Sequence, residues 1–127
     1  MPFIQEAQRA VAAFHKATGQ PVHRRPVLPD ISRRNLRARL IGEESRESIQ
    51  EIDSGGSDLA GELVDLIYVA LGTAVEYGIE LEPFFRAVHD ANMAKVEGGV
   101  RRRPDGKILK PEGWQPADLE AVYQEQL

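Results

Sequence analysis

Two acidic clusters constrain this chain more than any other feature. Glu43-Glu44-x-x-Glu47 is followed, 14 residues on, by Glu62-x-x-Asp65. Both lie in stretches with helical periodicity, where residues three or four apart share a face. Glu43 and Glu47 sit about 40° apart around their helix, while Glu44 with Glu47, and Glu62 with Asp65, are each about 60° apart. Two such helices side by side aim at least four carboxylates at one place. That much negative charge in a partly buried site requires cations between the carboxylates. A lone ExxE most often marks a solvated helix face. Two clusters on consecutive helices, with only Arg46 as a basic neighbour, point instead to a metal.

The periodicity predicts an all-α chain, a four-helix bundle with a short C-terminal helix. Phe3 to about Thr18 repeats apolar residues at three- and four-residue steps and stops at Gly19-Gln20-Pro21. Pro21, Pro26 and Pro29 mark an irregular connection. Ser32 is the expected N-cap of a helix running to about Asp53, which Ser54-Gly55-Gly56-Ser57 ends. Residues 58–78 carry the clearest stripe, from Leu59 through Leu63, Leu66, Ile67, Ala70, Leu71 and Ala74, closed by Gly78. Glu62 and Asp65 border that stripe, so they are expected beside the core and not in bulk water. Asp58, in the first turn of that helix, is explained by capping and the helix dipole. A fourth helix is expected over Glu82–Val96 with Pro83 in its first turn. A basic loop with a Pro104-Asp105-Gly106 turn follows, then a terminal helix over 117–126. The two middle helices, joined by a four-residue turn, read as an antiparallel hairpin. All of residues 1–127 read as one domain.

Charge is segregated beneath a net value of −4. Residues 43–65 hold eight acids against one base, and twelve of the sixteen Lys and Arg fall within 24–39 and 95–110. An acidic centre with basic flanks suits an anionic ligand that arrives with a divalent metal. No run of about 18 apolar residues suggests a membrane span. The N-terminus carries acid early and lacks an unbroken apolar core, so no secretory leader is expected. The absence of cysteine fits a cytoplasmic protein and excludes thiolate metal sites.

Oxygen-only ligands suit Mg²⁺, with Mn²⁺ as a substitute. Di-iron bundles need Glu-x-x-His, and zinc needs His or Cys in contact; neither pattern is present. Mg²⁺ held by carboxylates recruits phosphate oxygens. His89, Asn92 and Lys95 recur at three-residue steps along one face of the fourth helix, where they offer a neutral donor and a point charge to a polyphosphate. Lys107 and Lys110 in the basic loop are candidates to close over the phosphates, against the plainer reading of a solvated loop.

The order EExxE, spacer, ExxD, then Asn92-x-x-Lys95 resembles the all-α nucleoside triphosphate pyrophosphohydrolases. That group includes MazG-like proteins, phosphoribosyl-ATP pyrophosphatases and dimeric dUTPases. Phe14-His15 before Gly19-x-Pro21, the Arg39-to-Glu44 run and the Asp105-to-Pro111 tail look like its MazG-like branch. The resemblance covers residues 14 to about 119. It implies Glu44, Glu47, Glu62 and Asp65 as metal ligands, with Glu43 orienting or deprotonating the attacking water and Glu47 at the catalytic centre. It implies phosphate binding by Asn92 and Lys95, with His89 and Asp90 nearby. Water would attack the α-phosphorus and release pyrophosphate. A homodimer or dimer of dimers is expected, and the apolar excess of the third helix agrees. The expected substrate is dUTP, with phosphoribosyl-ATP as the alternative within the class. Outside the class, a helical dimer binding nucleic acid through its Arg-rich segments is the competing reading. The acidic centre would repel a nucleic-acid backbone, so no nucleic-acid partner is expected.

Overall fold

The computed structural model describes residues 3–127, and five helices make up its regular structure. They are α1 (Phe3–Thr18), α2 (Ile31–Ser54), α3 (Leu59–Tyr77), α4 (Leu81–Ala94) and α5 (Leu119–Gln124). Four are long and one is short, and no strand forms among the described residues, so the all-α class is as expected. The chain divides into two compact units, one ending at Leu81 and the other Glu82–Leu127.

In the first unit α3 is the central element and packs against both α1 and α2. The apolar core lies between α1 and α3: Val11 of α1 with Leu71, Ala74 and Val75 of α3. Gln8 ties α1 to the end of α3, because its amide donates to the Ile79 carbonyl (2.7 Å) and accepts from Leu81 N–H (3.1 Å). Phe14 of α1 meets Tyr68 of α3 edge-on at 5.7 Å, a favoured aromatic geometry. The proline-rich connection runs along the C-terminal end of α3, where His23 N–H donates to Val75 and Val27 N–H to Tyr77.

Several helix ends differ from the expected ones. Asp30, not Ser32, caps α2: its carboxylate accepts from Arg33 N–H at 3.0 Å and from the Ser32 hydroxyl at 2.8 Å. A carboxylate here also meets the positive end of the helix dipole. Asp58 makes no side-chain cap on α3, so capping does not account for it. Gly55 and Gly78 end α2 and α3 in the left-handed conformation, which glycine adopts without steric cost. At Gly78 the requirement is double, since a Cβ there would overlap the Arg25 carbonyl.

The stripe on α3 is only partly a core. Its C-terminal half is buried, but Leu63 and Ile67 are exposed, and Val75 and Glu76 are buried instead. In the second unit, the basic loop folds back on itself. Arg102 and Ile108 form an antiparallel bridge, with Arg103 N–H donating to the Lys107 carbonyl and Leu109 N–H to that of Arg101. Asp105 at the tip binds the Arg103 guanidinium and the Lys107 N–H.

Candidate active site

The register between α2 and α3 decides where the acids meet, and polar contacts at two levels set it. Ser48 is buried and its hydroxyl donates to the Glu62 carbonyl (3.3 Å). Arg37 donates through Nε to Thr73 Oγ1 (3.1 Å) and through Nη2 to the Val69 carbonyl (2.8 Å). About three turns back along α2, from Ser48 to Arg37, correspond to about three turns forward along α3, from Glu62 to Thr73. That is the expected antiparallel hairpin. Ser48 sits beside Glu47, so the contact that fixes the register also fixes the acids.

Glu44, Glu47 and Glu62 each bring a carboxylate oxygen within 4.8 Å of the others. Glu44 and Glu62 are half-buried, and Oε2 of each is buried with no hydrogen-bond partner. Such oxygens are costly unless something else satisfies them. The electrostatics agree. Desolvation, then the charges of Glu47, Asp65 and Glu43, raise the Glu44 carboxyl above its ordinary value. Glu62 is raised first by a hydrogen bond with Glu47, then by desolvation and the surrounding acids. An all-oxygen donor set with unsatisfied buried atoms and excess negative charge fits a hard divalent cation.

Asp65 departs from expectation. It is exposed and does not border the core, and it lies outside the converging trio. Its charge still reaches the trio, since it raises both Glu44 and Glu62. Glu43 is exposed beside them.

A second ionic cluster lies three to four turns along the hairpin. Glu76 is fully buried and receives a two-pronged grip from Arg33, Nε to Oε1 at 2.8 Å and Nη2 to Oε2 at 2.7 Å. Arg37 Nη1 adds a third bond at 3.2 Å. Forked guanidinium–carboxylate contacts are among the strongest side-chain hydrogen bonds. His15 Nδ1 stands 3.8 Å from the same carboxylate and donates to the Pro21 carbonyl at 3.1 Å. Gly72 makes room for this network, as a Cβ there would lie 2.6 Å from Arg37 Nη2 and 2.9 Å from His15 Nε2. Sequence reasoning missed Glu76. The available signal was an acid inside the otherwise apolar run Leu66–Ile79 of α3 and its C-terminal cap.

Within the second unit, His89 is exposed and stacks on Phe85 at 6.5 Å, one helical turn away. Asn92 is exposed, and its carbonyl accepts from Lys95 N–H (3.2 Å). Lys107 lies exposed on the turn. Trp114, which sequence reasoning did not single out, organises the end of α4: its Nε1–H donates to the Ala91 carbonyl at 2.7 Å. The amines of Lys95 and Lys110 lie 4.8 Å and 5.3 Å from the centre of its ring.

An all-α hairpin that converges carboxylates from two helices is the arrangement expected of a metal-dependent phosphoanhydride hydrolase. The chain belongs to the phosphoribosyl-ATP pyrophosphohydrolase family, whose family model matches residues 11–92. It is therefore a pyrophosphohydrolase within the all-α NTP pyrophosphatase superfamily. No curated protein matches it. The matched span contains all the clustered acids and Asn92 but stops short of Lys95 and the tail.

Proposed function

We propose that the chain hydrolyses phosphoribosyl-ATP to phosphoribosyl-AMP and pyrophosphate, with Mg²⁺ held by Glu44, Glu47, Glu62 and Asp65. The observation that carries this reading is the converging Glu44, Glu47 and Glu62 trio with its two buried, unpartnered oxygens. The family match favours phosphoribosyl-ATP over dUTP, the substrate first expected, and nothing observed supports uracil recognition. Mn²⁺ is the natural substitute metal.

A divalent ion bound by these carboxylates neutralises phosphate charge and acidifies bound water. The residues of the chain supply the rest. Glu43, exposed beside the trio, accepts the proton of the attacking water. The water oxygen bonds to the α-phosphorus as the bond from that phosphorus to the bridging oxygen breaks. Pyrophosphate departs with the electron pair. Asn92 and Lys95 hold phosphate oxygens, with His89 and Lys107 as further contacts. In-line displacement of this kind relies on positioning and electrostatics and needs no covalent nucleophile.

We further propose that the protein works as a single-domain homodimer or dimer of dimers in the cytoplasm. The exposed apolar residues of α3 support the assembly, and no helix among the described residues is long and apolar enough to cross a membrane. The test of substrate is a panel of phosphoribosyl-ATP, dUTP and the common nucleotides with Mg²⁺, Mn²⁺ or EDTA, resolved for all phosphate products. Metal-dependent phosphoribosyl-AMP and pyrophosphate are expected. Preferential cleavage of dUTP would overturn the substrate. Products limited to a diphosphate and phosphate would overturn the reaction.

A further inference from the structure

We infer that the first unit carries a second binding site, a cavity between α1 and the proline-rich connection that takes a small organic anion with an apolar body. The site is independent of the pyrophosphohydrolase reading. Val75 lines it, well beyond Glu62 on the same helix, so it lies about 20 Å along α3 from the clustered acids. Its volume is about 600 Å³, within the range of small-molecule sites.

The floor follows from the sequence of α1. Arg9, Ala12, Ala13 and Lys16 stand at three-, four- and seven-residue steps and so share one face of the helix. The alanines between two long side chains leave a recess floored by methyl groups, and buried Val75 of α3 extends it. Val22, His23 and Arg24 of the connection supply another wall. That wall is fixed, because His23 is held twice to the last turn of α3. Its backbone N–H donates to the Val75 carbonyl at 3.1 Å, and its ring Nδ1–H to the Glu76 carbonyl at 2.7 Å.

Among the described residues, the lining carries three permanent cations, Arg9, Lys16 and Arg24, against one acid, Glu80. None of the ion pairs among the described residues includes any of the three cations. Arg33 and Arg37 behave differently, since both are bound to Glu76. Cations on an open helix face are ordinary solvated surface. Here they rim a concave apolar floor, which suits a ligand charged at its edge and apolar in its middle. Inorganic phosphate would leave the floor against water, and a neutral apolar molecule would leave the positive charge unmatched. An aryl or alkyl phosphate or carboxylate satisfies both.

The protein in EDTA is titrated with phenyl phosphate and with benzoate and followed by backbone amide NMR, with inorganic phosphate and acetate as controls. Saturable shifts are expected at residues 8–16 and 22–24, at lower concentration for each aromatic anion than for its control. The tighter of the two aromatic anions names the oxyanion, phosphate ester or carboxylate. Lys16→Gln should weaken binding about fivefold, the loss of one partly screened charge contact. Ala12→Leu keeps a good helix former and fills the floor, so it should abolish the shifts and spare the melting temperature. Arg103→Gln, in the other unit, should change neither. No saturable shift at millimolar phenyl phosphate or benzoate overturns the inference. Equal affinity for each aromatic anion and its control, or undiminished binding in Ala12→Leu, overturns it as well. The assay contains neither metal nor nucleotide, so its failure leaves the proposed hydrolysis standing, and failure of that hydrolysis leaves this site standing.

Discussion

Glu76 is fully buried between two guanidinium groups, while Glu44 and Glu62 are half-buried among other acids. The contrast separates a structural carboxylate from reactive ones. Every oxygen of Glu76 is taken up by Arg33 or Arg37, so the group is satisfied within the chain. Glu76→Ala leaves Arg37 buried without its counter-charge and should cost about 3–5 kcal/mol, measured by urea unfolding. A loss below 1 kcal/mol would contradict a tightly coupled network. Glu44 and Glu62 behave in the opposite sense. Their folded values lie above the ordinary 4.5, so without metal their contribution favours folding below pH 4.5 and is lost as pH rises through the raised values. A divalent ion competes with those protons. The rise in melting temperature given by Mg²⁺ or Mn²⁺ should therefore be small near pH 5 and large near pH 8. Glu62→Gln should abolish that rise without lowering the metal-free melting temperature. A metal-induced rise that persists in Glu62→Gln would sink the ligand assignment.

The hairpin of α2 and α3 is the element on which the site depends, and much of it was legible. Three- and four-residue spacing placed the acids on facing stripes, and the glycines at 55 and 78 marked the helix ends. The N-cap of α2 was not legible, because Asp30 and Ser32 both suit the position and only backbone geometry chooses between them. Nor was the Arg33–Glu76–Arg37 network, whose partners lie 39 and 43 residues apart. Asp65 borders the apolar stripe on an ideal helix, yet it is exposed because the core occupies only the C-terminal half of α3. Two glycines test how closely the elements meet. Gly78→Ala places a side chain at φ +69° against the Arg25 backbone. It should cost more than the about 1–2 kcal/mol of a left-handed L-residue alone. Gly72→Ala meets side chains only, the Arg37 guanidinium and the His15 ring, with no backbone overlap and no left-handed φ, and should cost less. Thermal melts of the two variants check the order; the reverse order would contradict the packing described.

At the scale of the molecule, the N-terminal half of α3 leaves apolar surface uncovered within one chain. Val64 is 59% and Ile67 55% exposed, beside Leu63 and Tyr68. Such a cluster on the helix that carries two of the proposed ligands is the natural place for a second copy of the chain. Sedimentation should give a dimer or larger, and Ile67→Asp should shift it towards monomer. A monomeric wild-type protein would contradict this. The tail was the least legible part, since loop geometry alone brings Lys110 to Trp114. In the proposed reaction, water attacks the α-phosphorus under control of the clustered acids. The most direct measurement is turnover of phosphoribosyl-ATP with Mg²⁺ in ¹⁸O-labelled water, comparing wild type with Glu47→Gln. The account predicts label in phosphoribosyl-AMP, none in pyrophosphate, and loss of turnover by about 100-fold or more in the variant. Label in pyrophosphate or in free phosphate, or an undiminished rate in Glu47→Gln, would contradict it.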